Sequence, residues 1–245
     1  MQRNLARFAA AGGLLALLAC GPAPEQRKTA LNGKIYTDPY GLTPAETNEI
    51  SYDKNSIVVV LDTSGSMREQ LGEKRRIDVA KEKLLTMLEQ YNARTNGGTS
   101  LEMGILYFAD ETVIRTLAPF GPFAYDDLTK AVTSIDAQHS GTPLGDALIE
   151  AERLLDARAS GRKHILLITD GENQNGPSPK RVYRSLTAVN AALGDATALY
   201  LVAFGTDPAY FRDLQEQGAT VIDAQTPQAL ESGLRETVEL ILEKE

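Results

Sequence analysis

Short runs of apolar residues alternate along the chain with segments in which apolar positions recur every three or four residues. Residues 57–61 form a wholly apolar run rich in β-branched side chains, which is typical of a strand buried on both faces. Further segments have the composition of strands: residues 101–108, 111–117, 164–169, 198–204 and 220–222. Ala109 and Asp110 separate the first two of these segments, so we predict a hairpin and one antiparallel strand.

Three segments between the predicted strands have the spacing of amphipathic helices. Their apolar faces are Ile77, Ala80, Leu84, Met87, Leu88 and Tyr91 in the first, Leu144, Ala147, Leu148, Ala151, Leu154 and Leu155 in the second, and Leu230, Leu234, Val238, Ile241 and Leu242 in the third. A capping residue followed by proline indicates helix starts at residues 142–143, 178–179, 207–208 and 226–227. The alternation predicts an α/β fold, with helices on both faces of a mostly parallel sheet.

The first 19 residues have the pattern of an export signal. Arg3 and Arg7 form a short basic start, and residues 8–19 are an almost unbroken run of apolar or small residues, too short to span a bilayer as a helix. The run ends at Cys20, the only cysteine of the chain, which excludes a disulfide within the chain. This junction resembles the signal of bacterial lipoproteins, which implies cleavage before Cys20 and acylation of its sulfur, for example with palmitate.

Residues 20–53 differ in composition from the remainder of the chain. Four prolines lie among polar residues and no apolar period persists, so we predict a flexible linker that tethers a domain at residues 54–245. Apolar residues near its end, such as Tyr40 and Ile50, offer contacts with that domain. By the lipoprotein resemblance, Gly21 favours the outer membrane of a diderm envelope, with the domain in the periplasm or at the cell surface.

Charge narrows the class of partner. The chain of 245 residues has a formal net charge of −8, and removal of Arg3 and Arg7 with the signal would make the mature protein more acidic. No basic stripe with interleaved aromatic residues occurs in the sequence. Such a chain is poorly suited to phosphate backbones, so we expect no nucleic-acid partner.

Oxygen-bearing side chains follow two of the predicted strands. Asp62, Ser64 and Ser66 come directly after residues 57–61, Asp170 follows residues 164–169, and Thr142 lies in a loop before a predicted helix. In open parallel sheets, ligands bind at the carboxyl ends of strands where the strand order reverses. Each position alone fits a turn or a helix cap equally well. Together they form an oxygen-only donor set, which favours Mg²⁺ or Mn²⁺ over zinc or copper.

The spacing resembles the metal-ion-dependent adhesion site of the von Willebrand factor type A family, in which Asp-x-Ser-x-Ser precedes a distant Thr and a distant Asp. Asp62, Ser64, Ser66, Thr142 and Asp170 match every ligand position of that pattern. The resemblance covers residues from about 55 to 245. It implies a three-layer, doubly wound sheet of six strands in the order 3-2-1-4-5-6, with one antiparallel edge strand.

The resemblance also implies how such a site works. The serine hydroxyls would coordinate the cation directly, the threonine directly or through water, and the two aspartates largely through water. A Glu or Asp of a partner protein would supply the last ligand. We therefore expect a non-enzymatic, metal-dependent adhesion or scaffolding module of the bacterial cell envelope.

Other functions stay open on the sequence. A metal-dependent phosphohydrolase could use Asp62 as nucleophile, although Ser64 stands where an aspartate would act as general acid. His139 could be proposed as a base, but no acid partner for it is visible. A structural domain of the same family that binds partners without metal is the third possibility.

Overall fold

The computed structural model of the protein describes residues 27–31, 34–42, 50–95, 100–138, 141–194 and 196–242. The predicted signal peptide at residues 1–19, the lipidation position Cys20, and His139 all lie outside these ranges. Among the described helices, none is both long and apolar enough to cross a membrane.

Within those ranges, short strands and helices alternate as the sequence pattern predicts. The strands are β1 (Arg27–Leu31), β2 (Lys34–Asp38), β3 (Ser51–Leu61), β4 (Gln70–Leu71), β5 (Lys74–Arg75), β6 (Leu101–Phe108), β7 (Ile114–Pro122), β8 (Gly161–Thr169), β9 (Ala198–Phe204) and β10 (Thr220–Ala224). The helices are α1 (Arg76–Thr95), α2 (Tyr125–Ser134), α3 (Leu144–Arg158), α4 (Pro179–Leu193), α5 (Arg212–Gln215) and α6 (Pro227–Leu242). Single 3₁₀ turns span Gly65–Arg68 and Pro208–Phe211.

Six of the strands form one sheet in the spatial order β10-β9-β8-β3-β6-β7. Numbered along the chain within this sheet, the strands follow the order 3-2-1-4-5-6, which confirms the predicted topology. β7 pairs antiparallel with β6 at one edge, and the other neighbours are parallel. The strand order reverses on the two sides of β3, so the carboxyl ends of β3 and β8 flank the position where a ligand is expected.

The sheet separates two apolar layers. Ile57, Val59 and Leu61 of β3 pack with residues of α1, α2 and α6, whereas Val58 and Val60 face residues of α3 and α4. The side chains of residues 57–61 are all fully buried. Burial on both faces is the physical reason that the strand has no polar alternation.

The two-stranded hairpins β1–β2 and β4–β5 were not predicted, and β1 and β2 lie within the segment predicted to be a flexible linker. Two elements of the main domain, β7 and α2, also differ from the sequence prediction. The hairpin strand predicted at residues 111–117 lies at Ile114–Pro122, because Ala109 and Asp110 form backbone hydrogen bonds with Val113 that close a longer turn. Helix α2 was not predicted, since only Leu128 and Val132 of its ten residues are buried. Two buried positions give too short an apolar pattern to distinguish a helix from a loop.

Part of the predicted linker packs on the domain. The side chain of Leu42 is 1% exposed and belongs to the core layer of α3 and α4. The Asp38 carboxylate accepts a hydrogen bond from the Leu42 amide at 2.8 Å, and Arg153 of α3 donates to the Tyr40 carbonyl at 2.8 Å. The predicted boundary at residue 54 falls inside β3, whose first residue Ser51 is already paired with β8.

Candidate metal centre

The loop after β3 is shaped by a buried carboxylate. One oxygen of Asp62 accepts a hydrogen bond from the Ser64 amide at 2.8 Å, and the other accepts one from the Thr169 hydroxyl at 2.6 Å. Asp62 and Thr169 are both 0% exposed. Asp62 therefore turns the chain at the strand end and links the carboxyl ends of β3 and β8.

The turn brings two serine hydroxyls together with a second carboxylate. The hydroxyl oxygens of Ser64 and Ser66 lie 3.0 Å apart, and Ser66 donates to an oxygen of Asp170 at 2.8 Å. The other oxygen of Asp170 accepts a hydrogen bond from the guanidinium of Arg76 at 2.8 Å. Four of the five residues singled out in the sequence thus form one hydrogen-bonded cluster.

Thr142, the fifth residue, lies next to Gly171, the residue that follows Asp170 in the chain. Its side chain is 1% exposed, and a Cβ built on Gly171 would lie 3.5 Å from its hydroxyl oxygen. That hydroxyl has no hydrogen-bond partner among the described residues. It does not cap the following helix either, because α3 begins at Leu144 and has no side-chain cap. A buried hydroxyl without a partner costs about 1–3 kcal/mol, so a water molecule or another external ligand at this hydroxyl would stabilise the fold.

The loop after β8 fixes the backbone of Thr142. The Thr142 carbonyl accepts a hydrogen bond from the Gln174 amide at 3.0 Å, and Asn173 accepts one from the amide of Gly145 at 3.3 Å. A Cβ on Gly145 would overlap the carbonyl oxygen of Pro177, so glycine permits this close approach. The first turn of α3 and the loop after β8 therefore hold Thr142 and Asp170 in a fixed relation.

Two acidic groups share this enclosed space. Burial raises the pKa of Asp62 above its ordinary value, and the nearby Asp170 carboxylate raises it further. Burial also raises the pKa of Asp170, while the hydrogen bonds from Arg76 and Ser66 act in the opposite direction. The Arg76 cation balances only one of the two carboxylates, which leaves the cluster suited to a further positive charge.

Two members of the cluster were not anticipated from the sequence. Thr169 is the last residue of β8 and carries no signal apart from its position before Asp170. Arg76 is the first residue of α1, where a cation opposes the helix dipole. That unfavourable position is a sequence signal for an acidic partner.

No cluster of three or more His, Cys, Asp or Glu side chains able to hold a metal occurs in the described ranges. Any cation here would therefore depend on hydroxyl ligands.

Known proteins share this fold and part of this sequence. Residues 56–231 match the model of the von Willebrand factor type A domain. The Bacillus subtilis (strain 168) "Uncharacterized protein YwmD" is 27% identical over 175 residues, which cover 67% of this chain and 74% of that protein.

Two solved structures show the likeness of the fold. The pilus adhesin SpaC from Lactobacillus rhamnosus GG has a TM-score of 0.61 at 15% identity, over 80% of this chain and 31% of its own. Proximal thread matrix protein 1 from the mussel byssus, "with zinc occupied MIDAS motif", has a TM-score of 0.60 at 19% identity, over 81% of this chain and 50% of its own. This chain thus spans about a third to a half of those two chains. Because the family match covers most of the sheet and both core layers, the chain belongs to the von Willebrand factor type A domain family.

Proposed function

We propose that this chain is a non-enzymatic protein-binding module whose contacts depend on a divalent cation. Asp62, Ser64, Ser66, Thr142 and Asp170 would hold Mg²⁺ or Mn²⁺. The observation that carries the proposal is the buried Thr142 hydroxyl, which has no partner in the described part of the chain and lies next to Gly171, the residue that follows Asp170. A hard cation matches this all-oxygen donor set.

The donor set also suits recruitment of an acidic partner. Both oxygens of Asp62 are already hydrogen-bonded, so this residue would act on the cation through its charge and through water. The hydroxyls of Ser64, Ser66 and Thr142 are neutral ligands and leave the charge of the cation largely uncancelled. A bound dication would therefore accept a carboxylate oxygen from a partner protein as its last ligand.

The geometry favours binding over hydrolysis. As a phosphohydrolase nucleophile, Asp62 would need an accessible oxygen, whereas its side chain is fully buried and both oxygens accept hydrogen bonds. Two proteins of similar fold also support a binding function, since SpaC is a pilus adhesin and the mussel protein has zinc in its MIDAS motif. A metal-free binding domain is the remaining alternative, and metal titration separates it from our proposal.

We further propose that the domain is displayed in the bacterial envelope on a lipid anchor at Cys20. The apolar run before this cysteine supports the proposal. The membrane would then contribute attachment only, and the partner would bind at the carboxyl end of the sheet.

Calorimetric titration of the full chain with Mg²⁺ and Mn²⁺ tests the metal site. We expect Thr142→Val to lower the affinity at least about tenfold, or 1.4 kcal/mol. The free energy of unfolding in EDTA should stay unchanged or rise, because the substitution removes a buried hydroxyl without a partner.

Thr129→Val is the matched control. Its hydroxyl likewise finds no partner among the described residues, but it lies on α2, which carries none of the five candidate ligands. The control should bind metal as the wild type does. Absence of metal binding in the wild type, or equal affinities in Thr142→Val and wild type, would contradict the proposal.

A further inference from the structure

The Arg76 guanidinium lies against the candidate metal centre as a fixed internal cation. Its Nη1 atom is 2.8 Å from Asp170, whose side chain is 0% exposed, and the Arg76 side chain is 18% exposed. Its other contact, Nη2 to Glu69 at 3.4 Å, involves a carboxylate that is 64% exposed. The contact with Asp170 is the shorter and better shielded of the two, so Asp170 is the main electrostatic partner of Arg76.

The surroundings of Arg76 include two features that disfavour a partly buried cation at this position. The residue begins α1, where the helix dipole disfavours a cation. Its Nε atom is buried and has no partner among the residues that the structure describes. Gly205, at the carboxyl end of β9, has a left-handed φ of 64°, and a Cβ there would lie 3.4 Å from Nε. The position of the guanidinium is therefore explained by its hydrogen bond with Asp170.

The charges around the centre show what this cation changes. Leaving aside Glu69, whose carboxylate is 64% exposed and screened by solvent, the buried Asp62 and Asp170 together with Arg76 carry a single net negative charge, so a bound dication would leave a single net positive charge. Without Arg76, the same two carboxylates would fully neutralise the dication. A site with net positive charge attracts a carboxylate ligand, whereas a neutral site attracts it less.

From this arrangement we infer that Arg76 is a specificity-determining residue of the centre. It restrains divalent-cation affinity by occupying Asp170, and it preserves the positive charge that selects an acidic partner. The inference rests on the proposed metal-dependent function. It predicts that loss of Arg76 strengthens cation binding and weakens carboxylate binding. A purely structural role for Arg76 would weaken both.

Arg76→Gln in the full chain tests the inference with three measurements. In EDTA, we expect a lower thermal midpoint than in wild type, because Asp170 loses its cation. By calorimetry, Mg²⁺ should bind about tenfold more tightly, because the repulsion between two cations is removed. Acetate binding to the Mn²⁺-loaded chain, followed by water-proton relaxation, should weaken about tenfold.

Two further variants keep the result interpretable. Arg76→Lys retains the charge and should stay within about threefold of wild type in both affinities. Arg75→Gln is the matched control, because Arg75 is 37% exposed and pairs with Asp78 and Asp136 rather than with the centre. It should change neither affinity.

The outcomes separate this inference from the function on which it rests. If the wild-type chain binds neither Mg²⁺ nor Mn²⁺, both the proposed function and the inference are overturned. If the wild type binds metal but Arg76→Gln leaves Mg²⁺ affinity unchanged or reduced, the inference alone is overturned. Tighter metal binding combined with weaker acetate binding would support both.

Discussion

Glu152 is a carboxyl group enclosed in helix α3 with only part of its hydrogen-bonding capacity used. Its side chain is 1% exposed, and one oxygen accepts a hydrogen bond from the Thr197 hydroxyl at 2.9 Å. The other oxygen has no partner in the part of the chain that the structure describes. Burial raises the pKa of Glu152 to about 8, and the nearby Asp156 adds to the effect. The native state therefore keeps a proton here at neutral pH.

This raised pKa makes stability depend on pH. The unfolded chain releases the proton near the ordinary value of 4.5, so the free energy of unfolding falls as pH rises from there to about 8. The slope is on the order of 1 kcal/mol per pH unit. Glu152→Gln keeps the shape of the neutral acid. Its free energy of unfolding should equal that of the wild type near pH 4.5 and exceed it near pH 8.

Urea unfolding across this pH range measures the difference between the two proteins. Glu150→Gln is the control, because Glu150 lies on the same helix, is 46% exposed and pairs with Arg153. Its stability should follow the wild-type curve. An identical pH slope in wild type and Glu152→Gln would show that the buried carboxyl is not the source.

At the scale of elements, residues 38–42 act as a strap across α3. Asp38 is 2% exposed and closes a turn onto the Leu42 amide, while the Tyr40 carbonyl is held by Arg153. Leu42 fills the core layer between the sheet and α3. The strap therefore contributes to the stability of the domain although its composition is that of a linker.

Leu42→Ala is the variant that tests this contribution. Truncation of a buried leucine leaves a cavity, and we expect the free energy of unfolding to fall by about 2–4 kcal/mol. Tyr52→Ala is the control from the same part of the chain, because Tyr52 is 72% exposed. Chemical denaturation measures both. A loss for Leu42→Ala no larger than that for Tyr52→Ala would mean that the strap is not part of the cooperative unit.

At the scale of the whole molecule, strand β3 separates the candidate metal centre from the residue at which the chain enters the sheet. The strand runs from Ser51 to Leu61, and Asp62 follows at its carboxyl end. Its 11 residues span about 36 Å at the usual rise of a strand. The centre therefore lies at the opposite end of β3 from Ser51, at the edge of the sheet where the partner is proposed to bind.

The proposed anchor has a direct test in cells. We expect wild-type protein to sediment with membranes and to be released by detergent, and Cys20→Ser to be recovered in the soluble fraction. The purified variant should bind Mg²⁺ as wild type does, because the substitution lies outside the domain. A mature wild-type protein whose mass shows no acyl group on Cys20 would contradict a lipid anchor at this residue.

The sequence by itself determined the elements whose signals are local. The apolar run of β3 identifies a strand buried on both faces, because every one of its side chains must leave water. Periodic apolar positions identify α1, α3 and α6, since each helix buries one continuous face. The strand order and the five oxygen donors followed from the family resemblance, and the structure brings those donors to one end of the sheet. Their role as metal ligands stays a proposal.

Only the tertiary structure decided which distant groups meet. Arg76 reaches Asp170 across 94 positions, and Thr169 reaches Asp62 across 107. The docking of Leu42 on α3, the late start of β7 and the presence of α2 likewise depend on neighbours supplied by other segments. Local patterns report which side chains leave water. The choice of charged and hydroxyl partners depends on three-dimensional distance, which the order of residues does not encode position by position.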